Sequence, residues 1–268
     1  MELKTYAENT WCPGCGNFGI LKAFEEAVKE LSSEIPVENF VVASGIGCHG
    51  KIADYLNLNS FYSIHGRALS NLEGAKLIKG KLVCVGFVGD GDIYAEGISH
   101  LIFAAKRNVD ITAVVHDNRS YSLTTGQFTP TSPSRFKGKS TPEGPPEDPM
   151  NPVALMLSAG ATFVARGFSG DIQHLKWLFK EAVKHRGFSF IDVLQPCVSF
   201  FNTFPFYRKH CYKLEDEGHD FTDFEKAMEK AREWDYNRDD EDVRIPIGIF
   251  YKVQKPTYEE RVNIKDSE

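Results

Sequence analysis

The chain has 268 residues, of which 42% are hydrophobic, and a formal net charge of −6 with a pI near 5.8. This is enough material for one large α/β domain with a tail. The acidic balance, without a basic stripe, argues against a nucleic-acid surface. The apolar runs fall far short of the roughly 18 residues of a membrane span, and no signal peptide is recognisable, so we expect a cytoplasmic protein without membrane contact.

The amino-terminal segment contains a Cys-x-x-Cys pair, Cys12 and Cys15, in a loop bent by Pro13 and Gly14. In a cytoplasmic protein such a pair holds a metal or cluster, or acts as a redox couple, more often than it forms a disulfide. A helix follows, with a predicted inner face of six residues: Phe18, Leu21, Ala23, Phe24, Val28 and Leu31. The pair alone leaves a metal site, a redox couple and an inert pair open.

Two further cysteines directly follow predicted strands. Cys48 comes after a strand over 40–44, and Cys197 comes after a strand over 188–194. Because the carboxyl ends of parallel strands meet at one edge of a sheet, all four thiolates can converge at the rim of one crevice. Four thiolates suit either a tetrahedral zinc ion or an iron–sulfur cluster. Two cysteines receive no such role: Cys84 in mid-strand and Cys211 in the tail.

The middle of the chain is a predicted βαβ unit. Residues 81–88 and 111–115 are apolar runs typical of buried parallel strands, and apolar residues at helical spacing lie between them. Gly89-Asp90-Gly91-Asp92 ends the first strand, and Asn118 follows the second. Asp90 and Asn118 should therefore face one crevice. A carboxylate, an amide oxygen and the accessible backbone of the glycines suit a Mg²⁺ ion that bridges to phosphate oxygens. The sequence contains neither a Walker A loop nor the dinucleotide-binding fingerprint.

These turns belong to a longer pattern. Gly89-Asp90-Gly91-Asp92, then Arg107-Asn108, then the run 117–127 resemble the thiamine diphosphate motif, and more narrowly the β subunit of 2-oxoacid:ferredoxin oxidoreductases. The resemblance covers essentially the entire chain. It implies a thiamine-diphosphate-binding α/β fold, with a mainly parallel sheet, helices on both faces and a C-terminal extension.

The resemblance also implies the site residues. The implied Mg²⁺ ligands are the side chains of Asp90 and Asn118 and the main-chain carbonyl of Ser120. The implied ligands of a [4Fe-4S] cluster are Cys12, Cys15, Cys48 and Cys197. The implied thiamine diphosphate contacts are Ile46, Gly47, Cys48, His49, His65, Gly91, Asp92, Ser122 and Leu123.

The implied activity is oxidative decarboxylation of a 2-oxoacid to acyl-CoA and CO₂, with electrons passing through the cluster to ferredoxin. No residue is an obvious general acid or base, and no carboxylate is a candidate for activating the aminopyrimidine. An α subunit, with or without further small subunits, should supply that group, so the chain alone is predicted to be inactive. Coenzyme A and a 2-oxoacid complete the expected partners.

The sequence gives weaker indications of the substrate than of the cofactors. The motifs resemble the 2-oxoglutarate or broad 2-oxoacid branch, but relatives of that branch often carry lysine at the position of Thr125, a possible substrate contact. Threonine lacks the charge that would meet a second carboxylate. Three alternatives stay open: a pyruvate:ferredoxin oxidoreductase β subunit, a thiamine diphosphate decarboxylase subunit without redox chemistry, and a nonenzymatic zinc subunit.

The rest of the chain is assigned more coarsely. A proline-rich loop over 129–152 is predicted to be either a lid or docking loop, or a surface excursion. We place a domain boundary near residue 200, with residues 1–200 forming the cofactor domain and 201–268 an extension that packs on it and on a partner. Within the extension, 220–235 is predicted to be one charged helix and 245–251 an edge strand or extended tail.

Overall fold

The computed structural model describes residues 2–263, which form a central sheet of eight strands. The strands are β1 (Phe40–Ser44), β2 (Asn59–Tyr62), β3 (Val83–Gly89), β4 (Thr112–Asp117), β5 (Phe163–Phe168), β6 (Ser189–Leu194), β7 (Cys211–Lys213) and β8 (Ile245–Lys252). Their order across the sheet is β2-β1-β3-β4-β6-β5-β8-β7. The first six strands run parallel, and β8 pairs antiparallel with β5 and parallel with β7. The predicted mainly parallel sheet is confirmed.

Helices cover both faces of this sheet. They are α1 (Asn17–Leu31), α2 (Ile52–Tyr55), α3 (Ala68–Ile78), α4 (Ile98–Arg107), α5 (Pro152–Ala159), α6 (Ile172–Lys184), α7 (Phe204–His210), α8 (Phe224–Arg232) and α9 (Tyr258–Arg261). A single π-helical turn, Gly91–Glu96, joins β3 to α4. None of the helices in residues 2–263 is long and apolar enough to span a bilayer.

Two hydrophobic cores lie on opposite faces of the sheet. One is shared by α1, α6 and strand residues such as Val85 and Phe87, and the other by α3, α4, α5, α8 and strand residues such as Cys84 and Val88. Alternate residues of β3 thus point to opposite cores, which is why its sequence is apolar without a break. Burial of each large apolar side chain contributes about 1.5–3 kcal/mol. The two cores fix the strand ends, and hence the loops that follow them.

Several element boundaries and burial assignments differ from expectation. Phe18 is 39% exposed and packs edge-on against Trp11 instead of facing the core, where Ile20 and Ala27 lie instead. The charged helix is shorter than predicted, since Asp223 caps α8 by accepting hydrogen bonds from two backbone amides. The strand predicted at an edge, β8, lies inside the sheet between β5 and β7, because the short β7 covers its outer side.

A buried histidine beside the amino-terminal end of β5 predicts a dependence of stability on pH. His185 is 3% exposed, with Nε2 2.8 Å from Thr162 Oγ1 and Nδ1 accepting from Gln254 Nε2 at 3.2 Å. Burial, with a smaller contribution from Lys252, lowers the pKa of His185 to about 4. Between pH 6.5 and pH 4, His185 is therefore protonated in the unfolded chain but stays neutral in the folded chain. We expect this residue to cost about 2 kcal/mol of stability at pH 5 relative to pH 8.

The check is urea unfolding of the wild-type chain and of His185→Gln at pH 8 and pH 5. Glutamine keeps a donor and an acceptor but does not titrate, so the variant should lose less stability between the two pH values. An equal loss in both proteins would contradict the assignment.

Candidate cofactor cleft and cysteine pocket

A cleft opens beyond the carboxyl ends of β1, β3 and β4. Its lining consists of Ile46, Gly47, Cys48, His49, His65, Gly89, Asp90, Gly91, Asp92, Asn118, Ser120, Tyr121, Ser122, Leu123 and Thr124. Every residue predicted from the sequence to contact Mg²⁺ or thiamine diphosphate therefore borders one cavity. Thr125 does not: it lies exposed in the following turn at φ 76°, an unusual conformation for a β-branched residue.

Asp90 forms the floor of the cleft. It is 2% exposed, and its Oδ2 accepts hydrogen bonds from Thr129 Oγ1 at 2.6 Å and Thr131 Oγ1 at 3.2 Å. Burial raises the pKa of Asp90 to about 6, although these hydroxyls partly offset it. Thr129 and Thr131 begin the loop predicted to be a lid or a surface excursion, and both are buried. The start of that loop is instead a structural support of the candidate metal site.

The Asn118 loop is shaped by a residue that the sequence analysis overlooked. Arg119 adopts φ 62° and turns away from the cleft into the core, where it is 1% exposed. Its Nε donates to the carbonyl of Thr131 at 2.8 Å, its Nη2 donates to the carbonyl of Tyr236, and its guanidinium lies 5.4 Å from the Trp234 ring. This inward turn leaves Asn118 and the residues after Arg119 on the cleft side.

Gly91 allows the turn after β3 to lie close against Tyr121 in the loop after β4. A Cβ on Gly91 would lie 2.2 Å from the Tyr121 ring, and the Tyr121 hydroxyl donates to the Gly91 carbonyl at 3.0 Å. Any larger residue at position 91 would push the two loops apart. The glycine thus sets the width of the cleft between them.

Asp92 connects the two histidine loops. Its Oδ1 accepts from Gly66 N at 2.7 Å and Ile46 N at 3.3 Å and lies 2.9 Å from His65 Nδ1, while its Oδ2 lies 3.4 Å from His49 Nε2. Burial alone would raise the pKa of Asp92, but the close contacts with His49 and His65 outweigh it and lower the pKa below its usual range. The close contact with the Asp92 carboxylate in turn raises the pKa of His65.

We expect Asp92→Ala to loosen both histidine loops. Hydrogen bonds to a charged group contribute about 1.5–3 kcal/mol each, so the variant should lose about 2–3 kcal/mol of stability after relaxation and bind thiamine diphosphate about tenfold more weakly. Urea unfolding and calorimetric titration measure the two effects. Asp54→Ala, which removes an exposed carboxylate whose partner is the Tyr62 hydroxyl, should change neither by much. Equal behaviour of the two variants would contradict the anchoring role.

The four cysteines of the sequence prediction line a second cavity that adjoins the cleft. Cys12 and Cys15 precede α1, Cys48 follows β1, and Cys197 follows β6. The two cavities share four lining residues: Cys48, Asn118, Ser122 and Leu123. Cys84 is buried in β3, and Cys211 begins β7, so neither lines this pocket.

Hydrogen-bond donors surround the cysteine sulfurs. Ser122 Oγ lies 3.2 Å from Cys197 Sγ, Ser199 Oγ lies 3.3 Å from Cys12 Sγ, and a longer contact of 3.6 Å joins Gln195 Nε2 to Cys15 Sγ. None of these donors was identified from the sequence, because no local pattern links a serine or glutamine to a distant cysteine. Donors aimed at sulfur suit thiolates better than neutral thiols.

The cysteine pocket contains a buried side-chain amide that bears on which metal group it could hold. Asn17 is fully buried against it, and its Nδ2 has no hydrogen-bond partner in residues 2–263. Among these residues no three His, Cys, Asp or Glu side chains are gathered closely enough to hold a single metal ion. Four cysteines that line one pocket match the ligand set of a cluster, in which each thiolate binds a different iron, and a buried donor suits its sulfide. Burial meanwhile raises the pKa of metal-free Cys15 to about 12.

Comparison with known proteins identifies the family. Residues 45–193 match the thiamine pyrophosphate enzyme, C-terminal TPP binding domain, and residues 197–266 match the C-terminal part of the pyruvate ferredoxin oxidoreductase beta subunit. The 2-oxoacid:ferredoxin oxidoreductase subunit beta of a Sulfolobus species is 44% identical over 95% of this chain and 85% of its own length. The chain belongs to the 2-oxoacid:ferredoxin oxidoreductase β subunits. The predicted family is thus confirmed.

Other relatives agree with this membership. A 2-oxoglutarate synthase subunit from Archaeoglobus fulgidus is 42% identical over 70% of this β subunit and 69% of its own length. A solved 2-oxoglutarate:ferredoxin oxidoreductase from Magnetococcus marinus, with 2-oxoglutarate, coenzyme A and succinyl-CoA bound, superposes with a TM-score of 0.91 at 36% identity, over 97% of this chain and 87% of that one. This β subunit is therefore part of a multi-subunit oxidoreductase, and its central region is a thiamine-diphosphate-binding domain.

Proposed function

We propose that this β subunit binds Mg²⁺–thiamine diphosphate and a [4Fe-4S] cluster side by side, and that its holoenzyme oxidatively decarboxylates 2-oxoglutarate or several 2-oxoacids to acyl-CoA and CO₂. The observation that carries the proposal is the shared wall of the two cavities, formed by Cys48, Asn118, Ser122 and Leu123. A cofactor in the cleft and a cluster in the cysteine pocket would both border these four residues. Electrons would leave by the cluster for ferredoxin.

The cleft residues would hold and orient the diphosphate end. Asp90, Asn118 and the Ser120 carbonyl present hard oxygen ligands of the kind that Mg²⁺ prefers, and His65 and the turn at Gly91 face the same space. Bound thiamine diphosphate supplies the electron sink for decarboxylation, and the cluster supplies one-electron transfer. This chain contributes position, charge and exclusion of water rather than an acid or base of its own.

The cysteine pocket fits a cluster better than zinc. Cys12, Cys15, Cys48 and Cys197 would each bind one iron, with Ser122, Ser199 and Gln195 donating to the sulfurs. A tetrahedral zinc ion would require the four sulfurs to close on a single point. The six cysteines are free thiols, which suits the reducing cytoplasm that we propose as the location.

An α subunit is the proposed source of the missing catalytic carboxylate. The side chains lining the cleft include two aspartates, and both already have partners. Asp90 accepts hydrogen bonds from two threonine hydroxyls, and Asp92 pairs with His49 and His65. Neither is available to activate an aminopyrimidine. Coenzyme A and ferredoxin are proposed partners of the assembled enzyme.

The test is anaerobic purification of the chain with its α subunit, followed by iron, sulfide, zinc and thiamine analysis. About four irons and four sulfides per β chain, with bound thiamine diphosphate and no stoichiometric zinc, would support the proposal. Zinc without iron would contradict it, as would thiamine diphosphate without iron. Viologen reduction with 2-oxoglutarate, pyruvate and 2-oxobutyrate in the presence of coenzyme A then assigns the substrate. Reduction with pyruvate alone would favour the pyruvate alternative.

A further inference from the structure

One side chain lies in the wall between the two cavities and contacts a group on each side. Ser122 Oγ is 3.2 Å from Cys197 Sγ on the pocket side and 2.7 Å from Ser120 Oγ on the cleft side. Ser120 Oγ is in turn 3.3 Å from Asn118 Oδ1. A continuous row of hydrogen-bonding groups thus joins a candidate metal ligand, Asn118, to a candidate cluster ligand, Cys197.

Two proton arrangements of this row have the shortest contacts, because each hydroxyl carries one proton. Donation from Ser122 Oγ to Asn118 Oδ1 or to the Ser120 carbonyl spans a longer 3.5 Å. In the first, Ser120 donates to Asn118 Oδ1 and Ser122 donates to Ser120, which leaves Cys197 Sγ without its serine donor. In the second, Ser120 donates to Ser122 and Ser122 donates to Cys197 Sγ. The Asn118 oxygen decides between them, since its Oδ1 already accepts from Ser120 N at 3.0 Å. Any further hydrogen bond or metal ion on Asn118 Oδ1 makes this oxygen a weaker acceptor for the Ser120 hydroxyl.

We propose that Ser122 is a positioning residue that couples cofactor occupancy to the cluster, an inference that rests on the proposed function. Mg²⁺ on Asn118 Oδ1 takes up the acceptor that the first arrangement needs. The Ser120 hydroxyl then turns to Ser122, and the Ser122 hydroxyl turns to Cys197 Sγ. Binding of Mg²⁺–thiamine diphosphate therefore completes a hydrogen bond to one thiolate of the cluster.

The consequence is a change in the cluster's reduction potential. Hydrogen bonds to the sulfurs stabilise the reduced, more negatively charged cluster and raise its potential. The loaded enzyme should therefore hold a more easily reduced cluster than the enzyme without cofactor. The cluster would accept electrons most readily when an electron donor can be present in the neighbouring cleft.

A second serine provides a matched control. Ser199 Oγ lies 3.3 Å from Cys12 Sγ, at nearly the same distance as Ser122 from Cys197. Ser199 lines the cysteine pocket but is not part of the cleft lining. Its removal should lower the potential by loss of a donor, without affecting the response to the cofactor.

The experiment is an EPR-monitored redox titration of the cluster in the αβ holoenzyme, with and without saturating Mg²⁺–thiamine diphosphate. In the wild-type enzyme the midpoint potential should rise when the cofactor binds. Ser122→Ala should have a lower potential that no longer responds to the cofactor. Ser199→Ala should have a lower potential that still responds. Ser120→Ala, which leaves the Ser122 hydroxyl free to donate to Cys197, should keep a high potential but lose the response.

Two results would overturn the inference. A Ser122→Ala enzyme whose potential still rises with cofactor would show that the hydroxyl row carries no coupling. A wild-type potential that is unchanged by the cofactor would show the same. Absence of a cluster signal from the wild-type enzyme would instead refute the proposed function, so the two failures are distinguishable.

Discussion

Cys197→Ser is expected to remove most of the cluster and to reduce ferredoxin or viologen reduction at least about 100-fold. Changes to groups that only support a metal ligand cost about 10–100-fold in affinity or activity, so loss of a ligand should cost no less. Cys197 is 7% exposed and is also the acceptor of the Ser122 hydroxyl. A serine oxygen at this position replaces a soft thiolate by a poor ligand for iron.

The iron content and the visible absorbance of the anaerobically purified holoenzyme measure this effect. Cys211→Ala is the control, since Cys211 lies in β7, away from the cysteine pocket. It should keep its full iron content. If Cys197→Ser retains four irons, or if Cys211→Ala loses them, the assignment of ligands is wrong.

Asp90→Asn is expected to weaken binding of Mg²⁺–thiamine diphosphate by at least about 100-fold, because it replaces the proposed carboxylate ligand of Mg²⁺ without changing its shape. The effect should not come from misfolding. Asp90 is held by the hydroxyls of Thr129 and Thr131, and an amide oxygen can accept from them too. Thiamine diphosphate titrations at fixed Mg²⁺ measure the affinity, and thermal unfolding without the cofactor checks the fold.

Asp171→Asn is a matched control for this substitution. Asp171 also follows a parallel strand, β5, where it caps α6 through a hydrogen bond from His174 N at 3.1 Å. Asparagine caps helices as well as aspartate does, and the pair with Lys213 is partly exposed and contributes little. Affinity for the cofactor should be unchanged. A similar loss in both variants would mean that charge near the sheet edge, not metal ligation, explains the result.

The sequence was sufficient to predict the residues around the two cavities because the parallel-sheet rule needs only the ends of strands. Apolar runs predict the strands, and the polar residues that follow them, such as Asp90, Asn118 and Cys48, must then share an edge. The same reasoning predicted that the cysteines converge. Their roles as ligands are still predictions, and so is any contact between Thr125 and a substrate.

Support from distant segments could not be predicted in this way. Thr129 lies 39 positions from its partner Asp90, and Ser199 lies 187 positions from its partner Cys12. No periodicity connects such residues, and proline density in the loop after Thr129 indicated only irregular backbone. The burial of β8 was missed for a related reason, because its cover, β7, is only three residues long and carries almost no sequence signal.

The contacts of Arg119 with Trp234 and Tyr236 have a consequence for biosynthesis. Arg119 orients the loop that carries Asn118, yet it donates to the Tyr236 carbonyl and lies over rings that the ribosome makes more than a hundred residues later. A nascent chain that ends before residue 234 has β3 and β4 but lacks this support. Under the proposed function, we therefore expect Mg²⁺–thiamine diphosphate to bind only after Trp234 and Tyr236 have been made and have packed against Arg119.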